Sequence, residues 1–204
     1  ADKFVDQGRK ASGIGGAVLV SSDADSLLRL LGVLGWNSVL HDSSGAFADL
    51  AALPAGDHEF RRVIVGRKQA PTGPFAELIG PAELEVLQPR SGTGAHAFAD
   101  RQWGDQGFIH LCFDVQGMGP LLQALTEAGF PATVDSGSTF DMGEAGGRFS
   151  YIEDGDGTLI EFVETHRIPI LKAIGWYLDL RKRDPARPLP RWMVRAMGLG
   201  RRRD

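Results

Sequence analysis

Cysteine is almost absent from this chain. The 204 residues contain one, Cys112, so an intramolecular disulfide framework is excluded. A lone thiol fits a reducing compartment, and we therefore expect a cytoplasmic protein. Cys112 falls within an apolar stretch that is typical of a strand, and this favours a small buried residue over a nucleophile.

Long hydrophobic runs are also missing. A membrane-spanning helix needs roughly 20 consecutive apolar residues, and the apolar runs of this chain are far shorter. The N-terminal sequence ADKFVDQGRK is polar and charged, and it lacks the hydrophobic centre of a signal peptide. We expect no contact with a membrane.

Charge is distributed unevenly along the chain. The net charge is −4, but residues 181–204 hold nine Arg or Lys against Asp184 and Asp204, a balance of +7. Residues 1–180 therefore carry −11, because −4 less +7 is −11. The basic tail lacks the interleaved aromatic residues of single-strand binders, and no nucleic-acid motif precedes it. We expect a solvated tail, or one packed on its own domain, and no nucleic-acid partner.

An internal repeat organises the chain. When Gly16 is placed over His110, the residues that follow align without a gap. The matched positions are Leu27–Leu121, Leu28–Leu122, Leu31–Leu125, Gly35–Gly129 and Trp36–Phe130. Each copy reads as a strand, an apolar-periodic helix and three further strands. We therefore predict an α+β protein with two tandem βαβββ modules that form a cupped, incomplete barrel-like sheet.

Composition shifts set the boundaries of these modules. Residues 1–13 are predicted to form an N-terminal arm, 14–88 the first module, 89–107 a linker, 108–165 the second module and 166–204 a basic C-terminal helical extension. Three prolines in the extension are expected to force an extended piece between two helices. The linker is long enough for the modules to pair within one chain or across a homodimer, and further modules could precede residue 1.

Equivalent strand positions of the two copies gather candidate metal ligands. The four positions hold Gly16 and Glu85 in the first copy and His110 and Glu161 in the second. One imidazole and two carboxylates suit one divalent ion of Zn, Ni, Fe, Mn or Co. The hypothesis assigns such an ion to His110, Glu161 and Glu85, because Gly16 has no side chain that could coordinate.

The chain resembles a known superfamily in its repeated modules, the strand FIHLCFD and the closing phrase DGDGTLIE. The vicinal oxygen chelate superfamily includes glyoxalase I, bleomycin and fosfomycin resistance proteins and extradiol dioxygenases. The resemblance covers residues 14–165 and implies that His110 and Glu161 hold the metal positions of the second module and Glu85 that of the first. The family commonly has His, and sometimes Gln, where this chain has Gly16.

Three functions remain open on this resemblance. The first is a metal-dependent glyoxalase-like lyase or isomerase, in which the ion stabilises an enolate of a small carbonyl or hydroxy-carbonyl substrate and Glu85 or Glu161 is the general base. The second, motivated by the glycine in the first strand, is a metal-free small-molecule or antibiotic binding protein. The third is an Fe(II) extradiol-type dioxygenase, in which Tyr151 is catalytic; otherwise Tyr151 is an aromatic residue that lines the pocket.

Two further segments supply candidate substrate contacts. A glycine-rich loop precedes the third strand of the second module, and its Phe140, Met142 and Arg148 are predicted to bind substrate. Arg148 would bind a carboxylate or a phosphate. Arg61 and Arg62 are neighbours in a predicted strand, so one of them should point towards the concave side.

Overall fold

The computed structural model describes most of the chain. The described ranges are 15–52, 56–76, 82–91, 96–102, 104–137, 140–141, 145–171 and 174–198. Met142, one of the predicted substrate-binding residues, lies outside them.

The first module is a four-stranded sheet backed by one helix. Its elements are β1 (Gly16–Val20), α1 (Ala24–Val33), β2 (Ser38–Gly45), β3 (Phe60–Gly66) and β4 (Glu83–Pro89). The strands lie in the order β1–β4–β3–β2, with β1 parallel to β4 and the other neighbours antiparallel. Helix α1 begins after Asp23, whose side chain accepts a hydrogen bond from the Ser26 amide at 2.9 Å and so caps the first turn.

The second module repeats this arrangement. Its elements are β5 (His110–Asp114), α2 (Met118–Glu127), β6 (Val134–Asp135), β7 (Phe140–Asp141), β8 (Gly146–Glu153) and β9 (Leu159–Leu171). Strand β5 is parallel to β9, β9 is antiparallel to β8, and both β6 and β7 pair with β8. Among the described strands neither sheet closes on itself. The predicted α+β fold of two βαβββ modules with an incomplete barrel is confirmed.

One hydrophobic core joins the two modules. It contains Leu27 and Leu31 from α1, Leu125 from α2, and Ile160 and Phe162 from β9, each at most 1% exposed. The apolar residues of each helix fall on one face, which is the face that the sheets cover. Burial of this apolar surface is the main stabilising contribution. Because α1 and α2 contact each other, the modules share their buried side.

The first half of the C-terminal extension differs from the prediction. Its apolar spacing predicted a helix, but β9 continues to Leu171 and forms an antiparallel pair with β10 (Trp176–Asp179). Pro169 has no amide hydrogen and disfavours a helix interior, whereas the burial of Ile168 and Ile170 on one side follows the alternation of a strand. A hairpin therefore replaces the first of the two expected helices.

The second half of the extension follows the prediction. Helix α3 (Arg191–Gly198) forms after the proline-rich piece, and Trp192 stacks on Trp176 with ring centroids 6.0 Å apart. The Leu189 amide donates a hydrogen bond of 2.9 Å to the carbonyl of Pro74. The extension is thus tied both to the second sheet and to a loop of the first module.

Candidate functional site

The strand registers confirm the internal alignment on which the site prediction depends. In the first module Val18 of β1 pairs with Glu85 of β4, and in the second Cys112 of β5 pairs with Glu161 of β9. Two residues before Val18 the chain has a glycine, and two residues before Cys112 it has His110. Since alternate residues of a strand share a face, each module presents this position beside its glutamate.

The carboxylate of Glu161 is the centre of a polar cluster on the second sheet. The Tyr151 hydroxyl donates to one oxygen at 2.8 Å, and His110 Nε2 lies 3.1 Å from the other. Tyr151 is directly opposite Glu161 in the register of β8 and β9. The side chains of His110 and Glu161 are 28% and 15% exposed, so this cluster is largely shielded from water. Three of the predicted site residues are therefore brought together.

Cys112 also belongs to this cluster, and the prediction that it is buried is wrong. Cys112 lies on the cavity side of β5 and is exposed, whereas its neighbour Phe113 packs against the core. The surrounding groups still exclude enough water to raise the pKa of its thiol to about 12, and a hydrogen bond to Glu161 adds to this shift. Desolvation and the same carboxylate raise the pKa of Tyr151 well above its usual range. Both groups therefore stay protonated.

Glu85 has a different partner on the first sheet. Arg62 of β3 places its Nε 2.8 Å from one carboxylate oxygen of Glu85 and a terminal nitrogen 3.2 Å from the other. Arg62 also pairs with Asp49 at 2.8 Å and lies over the Phe47 ring, 5.1 Å from its centroid. The hydrogen bond from its terminal nitrogen to Glu85 raises the pKa of the guanidinium above its ordinary value.

The neighbouring arginine points to the other side of the sheet, as the alternation predicted. Arg61 forms ion pairs with Asp25 at 2.8 Å and with Asp42 at 2.9 Å. The hydrogen bond from the Arg61 guanidinium holds the pKa of the Asp42 carboxyl below its usual value. Arg61 is therefore a surface ion-pair residue, whereas Arg62 belongs to the concave face.

Gly16 is closed to every side chain, not only to a ligand. A Cβ atom at this position would lie 2.0 Å from the backbone carbonyl oxygen of Glu83, its register partner on β4. Real Cβ atoms do not approach oxygen this closely. The close packing of β1 against β4 therefore removes the first-strand metal position from the site.

The predicted metal ligands do not form one group. Within the part of the chain that the structure describes, no set of three or more His, Cys, Asp or Glu side chains is positioned to hold an ion. His110 and Glu161 contact each other, but Glu85 is held by Arg62 and does not join them in such a set. The residues present therefore do not fit the three-ligand centre that the sequence predicted.

A cavity of about 880 Å³ lies where β1 and β4 of the first module face β5 of the second. Its wall is mainly apolar and aromatic and includes Val18, Ile64, Phe98, Phe108, Ile109 and Leu111. Polar groups enter it at a few points, among them Glu85, His110 and Cys112. A concave, mostly apolar wall with few polar groups is the usual character of a small-molecule site.

Part of this wall comes from residues that the sequence assigned to a linker. Phe98 and Arg101 line the cavity, and the Arg101 guanidinium lies 5.2 Å from the centroid of the Phe98 ring. The Ala97 amide donates to the carbonyl of Asp156 at 2.7 Å, which ties this segment to the closing turn of the second module. Phe98 was the available signal in the sequence, because large apolar side chains are unusual in a polar linker.

The closing turn of the second module also contacts the first module. Asp154 accepts hydrogen bonds from the amides of Asp156 and Thr158, as expected of a turn former. The carboxylate of Asp156 in turn accepts a hydrogen bond of 2.6 Å from the amide of Ser22, which lies between β1 and α1. This contact holds the end of one module against the other.

The remaining predicted substrate contacts lie away from the cavity wall. Arg148 forms a two-pronged ion pair with Asp135 at 2.6 and 3.0 Å, and its β8 position alternates with that of Tyr151, so it lies on the opposite face of the sheet. Phe140 of β7 is half exposed and packs edge-to-face on Phe149 at 5.5 Å. Phe149 contacts Tyr151, and Tyr151 contacts His110, so an aromatic strip runs from Phe140 towards the cavity.

Comparisons of the whole fold identify similar solved structures. A glyoxalase family protein from Bacillus cereus matches with a TM-score of 0.57 and 13% identity, over 79% of this chain and 99% of that one. A glyoxylase/bleomycin resistance protein/dioxygenase domain from Frankia sp. EAN1pec matches with a TM-score of 0.50 and 17% identity, over 76% and 98%. A fosfomycin resistance protein from Listeria monocytogenes, solved with Mn(II), has a TM-score of 0.45 and 14% identity, over 75% and 90%.

Sequence comparisons are less informative. No protein-family model matches the chain. A phosphoglycerate kinase from Leifsonia xyli subsp. xyli is 30% identical over 102 residues, which are 48% of this chain and 25% of that protein. The chain thus spans a quarter of the length of that relative. None of the described helices is long and apolar enough to cross a bilayer. These structures show that the chain has the fold of glyoxalase family proteins, and this likeness agrees with the resemblance that the sequence indicated.

Proposed function

We propose that this protein binds a small, largely apolar molecule in the cavity between its modules without using a metal ion. The observation that carries the proposal is the combination of an apolar cavity of about 880 Å³ with two glutamates that already have protein partners. Ligand pockets commonly measure roughly 300–1,000 Å³, so the size suits a drug-sized molecule. This is the metal-free binding function that the glycine in β1 suggested.

The polar groups of the cavity wall have a selective role in this proposal. His110 and Cys112 form the polar part of β5 beside the apolar residues Ile109 and Leu111. Glu161 fixes the orientation of the His110 ring, and a fixed ring presents its hydrogen-bonding atoms in one direction. We assign Phe140 and Tyr151 to an aromatic strip that contacts any part of the ligand that extends past the cavity.

Fluorescence titration with the apolar dye N-phenyl-naphthylamine tests the proposal. We expect saturable binding that is unchanged by EDTA. Val18→Trp should weaken binding at least about 10-fold, because the larger side chain fills a wall position of the cavity. Val39→Trp is the matched control, since Val39 is 61% exposed and lies on β2 outside the cavity wall. Equal binding in both variants, or binding abolished by EDTA, would contradict the proposal.

The metal-dependent lyase or isomerase and the Fe(II) dioxygenase stay predictions, and elemental analysis tests both. One equivalent of Zn, Ni, Mn or Co in the purified protein, lost in His110→Ala, would support the lyase or isomerase. One equivalent of iron, with oxygen consumption in the presence of a catechol, would support the dioxygenase. The cytoplasmic location and a homodimeric assembly are likewise predictions; sedimentation at micromolar concentration measures the assembly.

A further inference from the structure

The contact between Arg62 and Glu85 uses both oxygens of the carboxylate. Arg62 Nε is 2.8 Å from one oxygen, and a terminal nitrogen is 3.2 Å from the other. The two side chains are 18% and 16% exposed, so water screens this pair only weakly. A divalent ion that approached Glu85 would meet a fixed positive charge at the same oxygens.

Arg62 is itself held in place by other groups. Asp49 binds it on a second side at 2.8 Å, and the Phe47 ring lies 5.1 Å from the guanidinium. A guanidinium keeps its charge throughout the accessible pH range. Arg62 therefore places one permanent positive charge between the carboxylates of Glu85 and Asp49.

The other module balances its glutamate in another way. Glu161 receives hydrogen bonds from neutral donors, including the Tyr151 hydroxyl at 2.8 Å, and contacts His110 at 3.1 Å. Gly16, which occupies the position that corresponds to His110, offers Glu85 no side chain, and the carbonyl oxygen of Glu83 closes that position. Arg62 of β3 is thus the side-chain partner that Glu85 lacks on the first strand of this module.

We infer that Arg62 is the built-in counter-ion of Glu85 and takes the place of the divalent ion that the sequence predicted there. Arg62 is a positioning residue, since it fixes the Glu85 carboxylate in the cavity wall and excludes cations from it. Removal of the Arg62 guanidinium leaves the carboxylates of Glu85 and Asp49 without the positive charge that lies between them. Two such carboxylates attract a divalent ion.

Titration with cobalt(II) chloride alone tests this inference, and it does so independently of whether the cavity binds the dye. The unmodified chain and the Glu85→Gln variant should have the same cobalt(II) affinity. Arg62→Met should gain at least about 10-fold in cobalt(II) affinity, because a repelling charge is removed. The gain should disappear in the double variant Arg62→Met/Glu85→Gln, because one of the two carboxylates is then neutral.

Arg62→Lys separates charge from packing. Lysine keeps the positive charge without the planar fork of the guanidinium. The Arg62→Lys variant should therefore still exclude cobalt(II), while its melting temperature should fall by about 2–5 °C. Cobalt(II) bound by the unmodified chain and weakened about 10-fold in Glu85→Gln would overturn the inference. So would an Arg62→Met variant that gains no affinity, or a gain that survives Glu85→Gln.

Discussion

The two modules share a backbone pattern and differ in the side chains that bind the carboxylate of the glutamate in each. In the first, Glu85 forms an ion pair with Arg62 from the next strand. In the second, Glu161 accepts a hydrogen bond from Tyr151 and contacts His110, which precedes it on the neighbouring strand. A half-buried carboxylate must have partners, because an uncompensated charge away from water is costly. The comparison teaches that one βαβββ frame can meet this requirement with a charge or with a network of donors.

The difference also explains why the predicted metal site is not assembled. Three residues whose side chains can coordinate a metal lie at equivalent strand positions. Their residue types alone do not bring their side chains within coordination distance of one ion. Each glutamate is held by side chains of its own sheet, so the two carboxylates are not directed at one shared ion. The cavity between the modules has a mainly apolar wall with polar groups at a few points.

Substitutions in the shared core should give the largest loss in the free energy of unfolding. They also test whether the two modules contribute equally to stability. Leu31 and Leu125 occupy matching positions of α1 and α2, and both are fully buried. We expect Leu31→Ala and Leu125→Ala each to lower the free energy of unfolding by about 2–5 kcal/mol. Urea unfolding followed by circular dichroism should show one transition in both variants. Two separate transitions, or a cost confined to one module, would show that the modules fold apart.

Thiol reactivity compares the two concave faces directly. Cys112 pairs with Glu161, and Val18 holds the corresponding place beside Glu85. Because the pKa of Cys112 is raised to about 12, its thiolate fraction should be small at pH 8 and should still be rising at pH 10. A thiol placed by Val18→Cys in a Cys112→Ala background should react roughly 100-fold faster at pH 8, since Arg62 already neutralises its carboxylate neighbour.

Rates of reaction with Ellman's reagent between pH 7 and pH 10 measure this difference. Glu161→Gln should accelerate the reaction of Cys112, because it removes an anion that disfavours the thiolate. Equal rates at the two positions would mean that the partners of the glutamates do not distinguish the faces.

Neutralising each glutamate gives the smallest effects and sharpens the comparison. Glu85→Gln leaves Arg62 with Asp49 alone, so we expect a loss of about 2 kcal/mol in the free energy of unfolding. Glu161→Gln retains an oxygen that can accept from Tyr151, so its cost should be about 1 kcal/mol or less. Thermal unfolding at neutral pH measures both. A larger cost for Glu161→Gln would reverse the assignment of charge to one module and of neutral donors to the other.

Much of the fold was predictable because its information is local or repeated. The alignment of the two copies predicted both βαβββ modules, and the strand registers confirm that the glycine of β1 stands where β5 has His110. The hairpin after the second module was not predicted, since short apolar runs around Pro169 fit helix and strand periodicity alike. The exposure of Cys112 was missed for a related reason: an apolar strand can still have one face on a cavity.

The sequence by itself determined the βαβββ pattern of both modules, the equivalence of the two copies and the loss of a side chain at Gly16. Tertiary structure alone decided the partners of the two glutamates and the composition of the cavity wall. Arg62 meets Glu85, and Phe98 meets the cavity, only after distant strands and the linker are brought together. The physical reason is that periodicity reports which face a residue occupies, whereas pairing of charges depends on distances across strands that no local pattern encodes.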